Sequence, residues 1–244
     1  MFRRIVFVAA LAGLIAGVFV TAAQAVRVIP LILEAETYEA SAPASDHTHG
    51  AVHDHDHAAA HGDAHGAAAG AHHHGEDAWA PADGVERMAY TLLTNVLASI
   101  GFGLLLAAAF ALRGGADWRS GLYWGLAGFA TFTLAPALGL PPEIPGAEAA
   151  PLLDRQLWWV GAVLATGGGL ALLFLVRRPV WMAAGAALLV LPHLIGAPQP
   201  ETHGGLAPES LARDFVVAAL VTSFLFWLVL GSLTGFFYKR LAAA

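Results

Sequence analysis

The stretch "FVVAALVTSFLFWLVLGSLTGFF", residues 215–237, decides the fold, because it runs for 23 residues without Asp, Glu, Lys or Arg. In a helix, about 20 apolar residues cross a hydrocarbon core of about 30 Å. Five more segments of 18 to 23 residues share this property, at 5–26, 90–112, 121–140, 157–176 and 180–197. The sequence therefore predicts an all-α integral membrane protein with six transmembrane helices.

The composition agrees with this class and excludes several others. Of 244 residues, 57% are hydrophobic and 12% are charged, whereas soluble domains carry about 25% charged residues. The absence of cysteine excludes disulfides and thiolate metal sites. The chain has no basic patch, so we expect no nucleic-acid partner. Its single lysine, Lys239, does not lie in a phosphate-binding loop, and no hydrolase motif is present, so we expect neither nucleotide binding nor an enzyme.

Most basic residues fall on one side when the loops are placed alternately on the two sides of the membrane. That side receives eight of the twelve: Arg3, Arg4, Arg113, Arg119, Arg177, Arg178, Lys239 and Arg240. Of the 18 acidic residues, only Asp117 falls there. Because loops rich in Lys and Arg stay in the cytoplasm, both termini are predicted to be cytoplasmic.

The first segment has an alternative interpretation as a secretory signal. Arg3 and Arg4 precede an apolar run, and "AQA" ends at Ala25 like a cleavage site. Cleavage would leave five transmembrane helices. The predicted organisation is a first helix with an outer extension at 1–33, a histidine-rich outer loop at 34–89 and a five-helix bundle at 90–244.

Ten of the twelve histidines lie in "DHTHGAVHDHDHAAAHGDAHGAAAGAHHHGED", residues 46–77. They are His47, His49, His53, His55, His57, His61, His65, His72, His73 and His74. The tract has too little apolar bulk to form a core, so a disordered loop is predicted in the absence of metal. Imidazole and carboxylate together suit Co²⁺, Ni²⁺ and Zn²⁺. Metal capture is the main interpretation, and incidental binding and pH sensing are the alternatives.

His193, in "LPHLIGAP", is the only residue among Asp, Glu, His, Lys and Arg inside a predicted transmembrane segment. Ionisable groups at membrane depth are costly and usually face a cavity or a partner. Glu143, His203, Glu34 and Glu36 are predicted at the same outer end. These five residues form a candidate metal pathway. The alternatives are a histidine that hydrogen-bonds at the interface and, for Glu143, a solvated loop charge.

Weaker candidates are the polar residues predicted deeper in the membrane. They are Gln24, Asn95, Thr131, Thr133, Thr222 and Ser223. Such groups commonly hydrogen-bond one helix to another, and they could also line a pathway. The glycines of "TGGGL", 167–169, favour close helix packing over a helix break.

Several long motifs together carry a family resemblance. They are "PLILEAETYE", "WAPADGVERMAYTLLTNVLASIGFGLLL", "WGLAGFATFTLAPALGLPPEIPG", "LPHLIGAPQPETH" and "DFVVAALVTSFLFWLVLG". Along essentially its whole length the chain resembles the CbtA family of predicted cobalt transporter subunits. The resemblance implies cobalt uptake linked to cobalamin biosynthesis, in the bacterial inner membrane, with a small single-span histidine-bearing partner called CbtB. It also implies that the first helix is retained and that the five pathway residues are the matched positions with ligand chemistry.

We therefore expect a permease subunit for Co²⁺ that lies in the lipid bilayer and has no resident cofactor. Ni²⁺ or Zn²⁺ is the alternative cargo. The main alternative function is a non-conducting subunit that buffers metal or assists the assembly of a separate transporter.

Overall fold

The computed structural model describes residues 2–41, 81–176, 178–201 and 204–242. These residues form six helical segments and no β-strand. In chain order they are α1 (Phe2–Ser41), α2 (Val85–Arg113), α3 (118–137), α4 (Leu152–Val176), α5 (Pro179–Ile195) and α6 (Glu209–Arg240). Each overlaps one of the six predicted apolar segments, and the all-α prediction is confirmed.

Four of the helices, α1, α2, α4 and α6, are long and apolar enough to cross a membrane. The other two are shorter, since α5 has 17 residues and α3 is interrupted by a wide turn. A multi-pass membrane protein is thereby supported, whereas the prediction of six crossings stays a prediction.

α1 continues beyond the predicted membrane segment. The apolar segment predicts a helix over 5–26, whereas α1 runs through Pro30 to Ser41. Its 40 residues span about 60 Å. The predicted loop boundary at residue 33 therefore falls inside this helix. Proline in a helix interior costs about 3 kcal/mol. Beyond Pro30 the helix is held by packing, because Val28 and Ala35 share a buried cluster with Leu211 of α6.

α3 contains a π-helical turn that a proline explains. The helix consists of an α-helical part, Trp118–Phe129, a π-helical turn, Ala130–Leu134, and a last α-helical turn, Ala135–Ala137. Pro136 has no N–H to donate, and in a regular α-helix its ring collides with a carbonyl one turn earlier. The wider turn relieves this collision, since the N–H of Ala135 reaches the carbonyl of Ala130. Such turns occur frequently at functional sites.

The largest packed unit consists of α1, α2, α3 and α6. α1 packs against α2 and α6, and α3 packs against α6. The core of this unit contains Val8, Ala12, Ala16, Leu106, Ala107, Phe110, Trp227, Leu230 and Tyr238. α4 and α5 pack on each other and contact this unit mainly through the second half of α3. The α4–α5 pair is therefore attached on one side only.

Glycines allow two pairs of helices to approach closely. At the crossing of α3 and α6, a Cβ added to Gly125 would collide with the backbone carbonyl of Trp227. At the crossing of α4 and α5, a Cβ added to Gly169 would lie 2.8 Å from the carbonyl oxygen of Gly185. The close-packing interpretation of "TGGGL" is confirmed at Gly169.

The beginning of α1 and the end of α6 lie at one end of the bundle. Arg4 on α1 donates hydrogen bonds to the carbonyl of Tyr238 on α6, and its guanidinium lies 3.7 Å from the centre of the Tyr238 ring. At the opposite end, Ala35 of α1, Ile144 of the α3–α4 loop and Leu211 of α6 belong to one buried cluster. We call this second end the outer end, after the sequence prediction.

Candidate functional site

Glu143 is held by an arginine at the outer end. Arg155, in the first turn of α4, donates from Nη2 to Glu143 Oε2 at 2.8 Å. The Glu143 side chain retains 30% of its exposure. Burial raises the pKa of Glu143 above its ordinary value, although the charge and hydrogen bond of Arg155 act in the opposite direction. A metal ion that binds this carboxylate must share it with Arg155 or displace Arg155.

His193 lies in the last turn of α5 and packs against Trp158 of α4. The two ring centroids are 6.1 Å apart, in an edge-to-face arrangement. Trp158 also donates from Nε1 to the carbonyl of Pro192 at 3.3 Å. Because Trp158 follows Arg155 by three residues, both lie on one face of α4. α4 thereby carries the partners of both Glu143 and His193.

The main chain joins two loops of the outer end. Ala147 and Gly205 form an isolated antiparallel bridge, and Glu148 N–H donates to the carbonyl of Gly204 at 3.2 Å. His203 lies outside the described residues. The bridge connects the α3–α4 loop to the loop that leads into α6.

Glu36 forms an ion pair that joins α1 to α2. Arg87 Nη1 lies 3.1 Å from Glu36 Oε2, and Arg87 Nη2 contacts the other carboxylate oxygen. Arg87 also reaches Asp83 at 3.2 Å. Glu34, two residues earlier on α1, is exposed. Arg87 therefore pairs with Glu36 and not with Glu34.

The described candidates do not gather into one cluster. Glu36 and Glu143 occupy separate arginine pairs, and His193 packs on a tryptophan ring. Within the part of the chain that the structure describes, no group of three or more Asp, Glu or His side chains could hold a metal ion. All ten tract histidines lie outside it. The predicted pathway of His193, Glu143, His203, Glu34 and Glu36 remains a prediction.

A seam of polar side chains runs between α1 and α2, next to the Glu36–Arg87 pair. We define this polar seam as Thr21, Gln24, Thr91, Asn95 and Ser99. Asn95 Nδ2 donates to Gln24 Oε1 at 2.7 Å and to Thr21 Oγ1 at 3.0 Å. The three hydroxyls each donate to a carbonyl one turn earlier on their own helix. In this state the seam ties two helices together, and its neutral oxygens are also potential contacts for a cation.

The polar seam meets a close contact between the two helices at its inner end. Gly13 and Gly17 of α1 face α2 there, and a Cβ added to either would lie 2.6 Å from the Cα atom of Ile100 or Val96, respectively. The buried core of the bundle follows. A cation could therefore leave the seam on this side only if α1 and α2 moved apart.

Only two members of the polar seam, Gln24 and Asn95, are among the polar residues predicted from the sequence to lie deep in the membrane. A signal for the others is the spacing of Arg87, Thr91, Asn95 and Ser99, which recur every four residues. Side chains four residues apart lie on one face of a helix. This spacing predicts a continuous polar stripe on α2, and in the structure two of its members, Arg87 and Asn95, contact side chains of α1.

The remaining polar candidates are spread over α3 and α6, and a further hydroxyl lies on α4. Thr133 accepts a hydrogen bond from Trp227 Nε1 at 3.3 Å, and Thr131 and Thr222 are buried. α4 packs on the π-helical turn of α3. On α4, Thr166 Oγ1 is buried and has no hydrogen-bond partner among the described residues. An unsatisfied hydroxyl costs about 1–3 kcal/mol, so a rearrangement of α4 that provides a partner would recover part of this cost.

Comparison with known proteins gives one match, to a family. No curated protein and no solved structure matches the chain. A family model described as "Probable cobalt transporter subunit (CbtA)" matches residues 2–239, which include all six helices except the last residue of α6. The chain therefore belongs to the CbtA family of transporter subunits.

Proposed function

We propose that the chain is a membrane permease subunit that takes up Co²⁺ for cobalamin biosynthesis. The observation that carries this proposal is the family match over residues 2–239. Four helices long and apolar enough to cross a membrane support it. The polar seam adds uncharged oxygen groups inside the bundle, where a transported cation would need them.

The proposed location is the bacterial inner membrane, with both termini in the cytoplasm. The contact between Arg4 and Tyr238 supports a common side for the two termini. The positive-inside rule assigns that side to the cytoplasm, because eight of the twelve basic residues fall there. The histidine tract is then extracytoplasmic.

The histidine tract is proposed to capture metal before transport. Its imidazoles and carboxylates would bind divalent ions in the Irving–Williams order, so capture alone does not select cobalt. Capture should weaken as the pH falls through the histidine range near 6.5, because protonated imidazole does not bind metal. We assign selection to the outer end, at His193, Glu143, His203, Glu34 and Glu36.

From the outer end the ion is proposed to enter the polar seam. The Glu36–Arg87 pair precedes the seam by one turn of α2, so Glu34 and Glu36 are well placed for transfer. An inside-negative potential of 100 mV favours inward movement by about 2.3 kcal/mol per charge, or about 4.6 kcal/mol for a dication. Transport therefore needs no nucleotide, but it does need the contacts of Gly13 and Gly17 to open.

The word "subunit" in the family description implies a partner. We propose a small single-span protein of the CbtB type that carries histidine. Its histidine would add a nitrogen ligand to the described residues, which contain no group of three or more candidate metal ligands.

The alternative is a non-conducting subunit that buffers metal or assists assembly. One observation favours it: the polar seam is closed by its own hydrogen bonds, and the described residues contain no cluster of three metal ligands. Both functions predict metal binding, so binding experiments do not separate them.

Cellular uptake of radiolabelled cobalt tests the proposal. Cells that express the chain with its partner should accumulate more cobalt than vector controls, and an uncoupler should abolish the difference. Competition by Ni²⁺ and Zn²⁺ identifies the preferred cargo. Accumulation equal to that of the vector control would contradict the permease.

A further inference from the structure

An apolar groove opens between α2 and α4, with α3 as its floor. Its volume is about 750 Å³. Leu105 and Ala109 line it from α2, and Leu170 and Phe174 line it from α4. Of the residues that line the groove, only Arg113 is charged. The groove exists because α4 packs on α5 and on the second half of α3, and makes no extended contact with α2.

An apolar molecule should fill this groove. Leu105 and Phe174 are 57% and 64% exposed, so the walls are open to the surroundings of the bundle. Apolar cavities of this kind do not hold ordered water, since water needs polar partners. An empty groove would forfeit dispersion contacts along both walls. In a bilayer the nearest apolar chains are those of lipids.

Arg113 adds a positive charge at one end of the groove. It lies in the last turn of α2 and makes no ion pair with any described residue. At this end the sequence provides one acidic residue, Asp117, whose Oδ1 accepts hydrogen bonds from Ser120 N–H at 2.9 Å and from Ser120 Oγ at 3.0 Å. Among the residues that the structure describes, none therefore supplies a counter-charge for Arg113. An arginine fork matches a phosphate group in charge and geometry.

We propose that the groove binds an anionic glycerophospholipid, with its phosphate at Arg113 and its acyl chains between α2 and α4. Basic pockets between transmembrane helices are typical sites for anionic headgroups. An apolar helix of another protein would satisfy the walls alone, whereas an anionic lipid satisfies the walls with its acyl chains and Arg113 with its phosphate. The bound lipid links the α4–α5 pair to α2, with which α4 and α5 make no extended contact among the described residues. This site is independent of the proposed transport function.

Native mass spectrometry of the full chain tests the site. The protein is purified into nanodiscs with equal amounts of phosphatidylglycerol and phosphatidylethanolamine, and retained lipids are counted after release. The wild type should retain phosphatidylglycerol preferentially. Arg113→Gln should lower that retention about fivefold, as expected for about 1 kcal/mol per arginine at a membrane surface. Ala171→Phe, which fills the groove, should reduce the retention of both lipids.

Two matched variants control for general effects. Arg119→Gln removes a charge at the same end, but Arg119 lies over the Trp118 ring and does not line the groove. Ala98→Phe adds the same bulk on an exposed part of α2. Both should retain phosphatidylglycerol as the wild type does. Equal retention of the two lipids, no loss in Arg113→Gln, an equal loss in Arg119→Gln, or displacement by an added single-span partner would each overturn the proposal.

Discussion

Asn95 on α2 donates hydrogen bonds to two side chains on α1, Gln24 at 2.7 Å and Thr21 at 3.0 Å. Inside a membrane, apolar packing gives little preference over lipid contact, so such polar contacts help to specify which helices pair. The Glu36–Arg87 pair lies on one side of this contact, and the close approach of Gly17 to Val96 lies on the other. Asn95 thus occupies the centre of both the helix pairing and the proposed pathway.

Replacing Asn95 with Ala should weaken the bundle and impair uptake. Interhelical hydrogen bonds in membranes contribute about 0.6–2 kcal/mol, and a loss of this size should appear in the free energy of unfolding measured in detergent. Uptake should fall even at saturating Co²⁺, because the pathway itself is altered. Thr94→Ala, on the exposed side of α2, is the control and should change neither quantity. Wild-type stability and uptake in Asn95→Ala would show that the polar seam neither stabilises the helix pair nor forms part of the pathway.

Two glycine variants test the helix crossing of α3 and α6. Gly125→Ala should destabilise the fold by about 1–3 kcal/mol, because the added Cβ collides with the carbonyl of Trp227. Gly101→Ala meets nothing within 4 Å on exposed α2. It should be neutral or stabilising by up to about 1 kcal/mol. Thermal unfolding of the two purified variants checks the contrast, and similar effects at both positions would show that the crossing is not close-packed.

Arg155→Gln should make stability more dependent on pH. Burial already raises the pKa of Glu143, and loss of the Arg155 charge should raise it further. A carboxyl whose pKa is higher in the folded state stabilises the fold when protonated, and this contribution is lost as the pH rises through the folded-state pKa. The variant should therefore be less stable than the wild type at pH 7, by about 1 kcal/mol or less for this partly exposed pair. The difference should shrink toward pH 4.

The control for this experiment is Glu143→Gln, which removes the titrating group. In the background of Glu143→Gln, Arg155→Gln should cause a difference in stability that no longer varies with pH between 4 and 7. A pH-dependent difference in that background would assign the effect to another carboxyl.

His193→Ala should impair uptake even at high metal concentration, because the proposed role of His193 is in the pathway rather than in capture. Trp158→Phe is the matched variant: it removes the hydrogen bond of 3.3 Å to the Pro192 carbonyl and keeps an aromatic ring beside His193. It should lower stability without changing the preference among Co²⁺, Ni²⁺ and Zn²⁺. Wild-type uptake by His193→Ala would leave His193 with an interfacial role only.

Deleting residues 47–74 should reduce uptake mainly at low metal concentration. The deleted segment contains the ten tract histidines, whose proposed role is to raise the local metal concentration. The apparent KM for cobalt should increase while the maximal rate stays close to that of the wild type. Complete loss at saturating cobalt would assign the tract to the pathway and contradict capture.

Hydropathy predicts the six helices because the backbone N–H and C=O groups of an apolar segment in lipid must form hydrogen bonds within the protein. A helix forms these hydrogen bonds within the segment itself. Hydropathy does not predict the end of α1. Pro30 and Glu36 locally favour termination. The helix continues because Ala35 joins a buried cluster that contains Leu211 and because Glu36 pairs with Arg87, and these partners lie far apart in sequence. Local sequence patterns do not report such contacts.

Contacts between residues far apart in sequence also determine the candidate site, and local sequence patterns do not predict them. Polarity alone identified Gln24 and Asn95, but their contact joins residues 71 positions apart. The arginine partner of Glu36 lies 51 positions away. Ion pairing of this kind decides whether a carboxylate is available to a metal, and it becomes visible only when the helices are assembled.

The most direct test of the permease is cobalt uptake into proteoliposomes that contain the purified chain, with and without a small single-span histidine-bearing partner. An inside-negative potential is imposed, and cobalt inside the vesicles is measured against protein-free vesicles and the Asn95→Ala variant. A Co²⁺ permease should give saturable, potential-driven accumulation of Co²⁺ that is reduced by Asn95→Ala. Absence of cobalt or nickel entry both with and without the partner would contradict it and favour the non-conducting subunit.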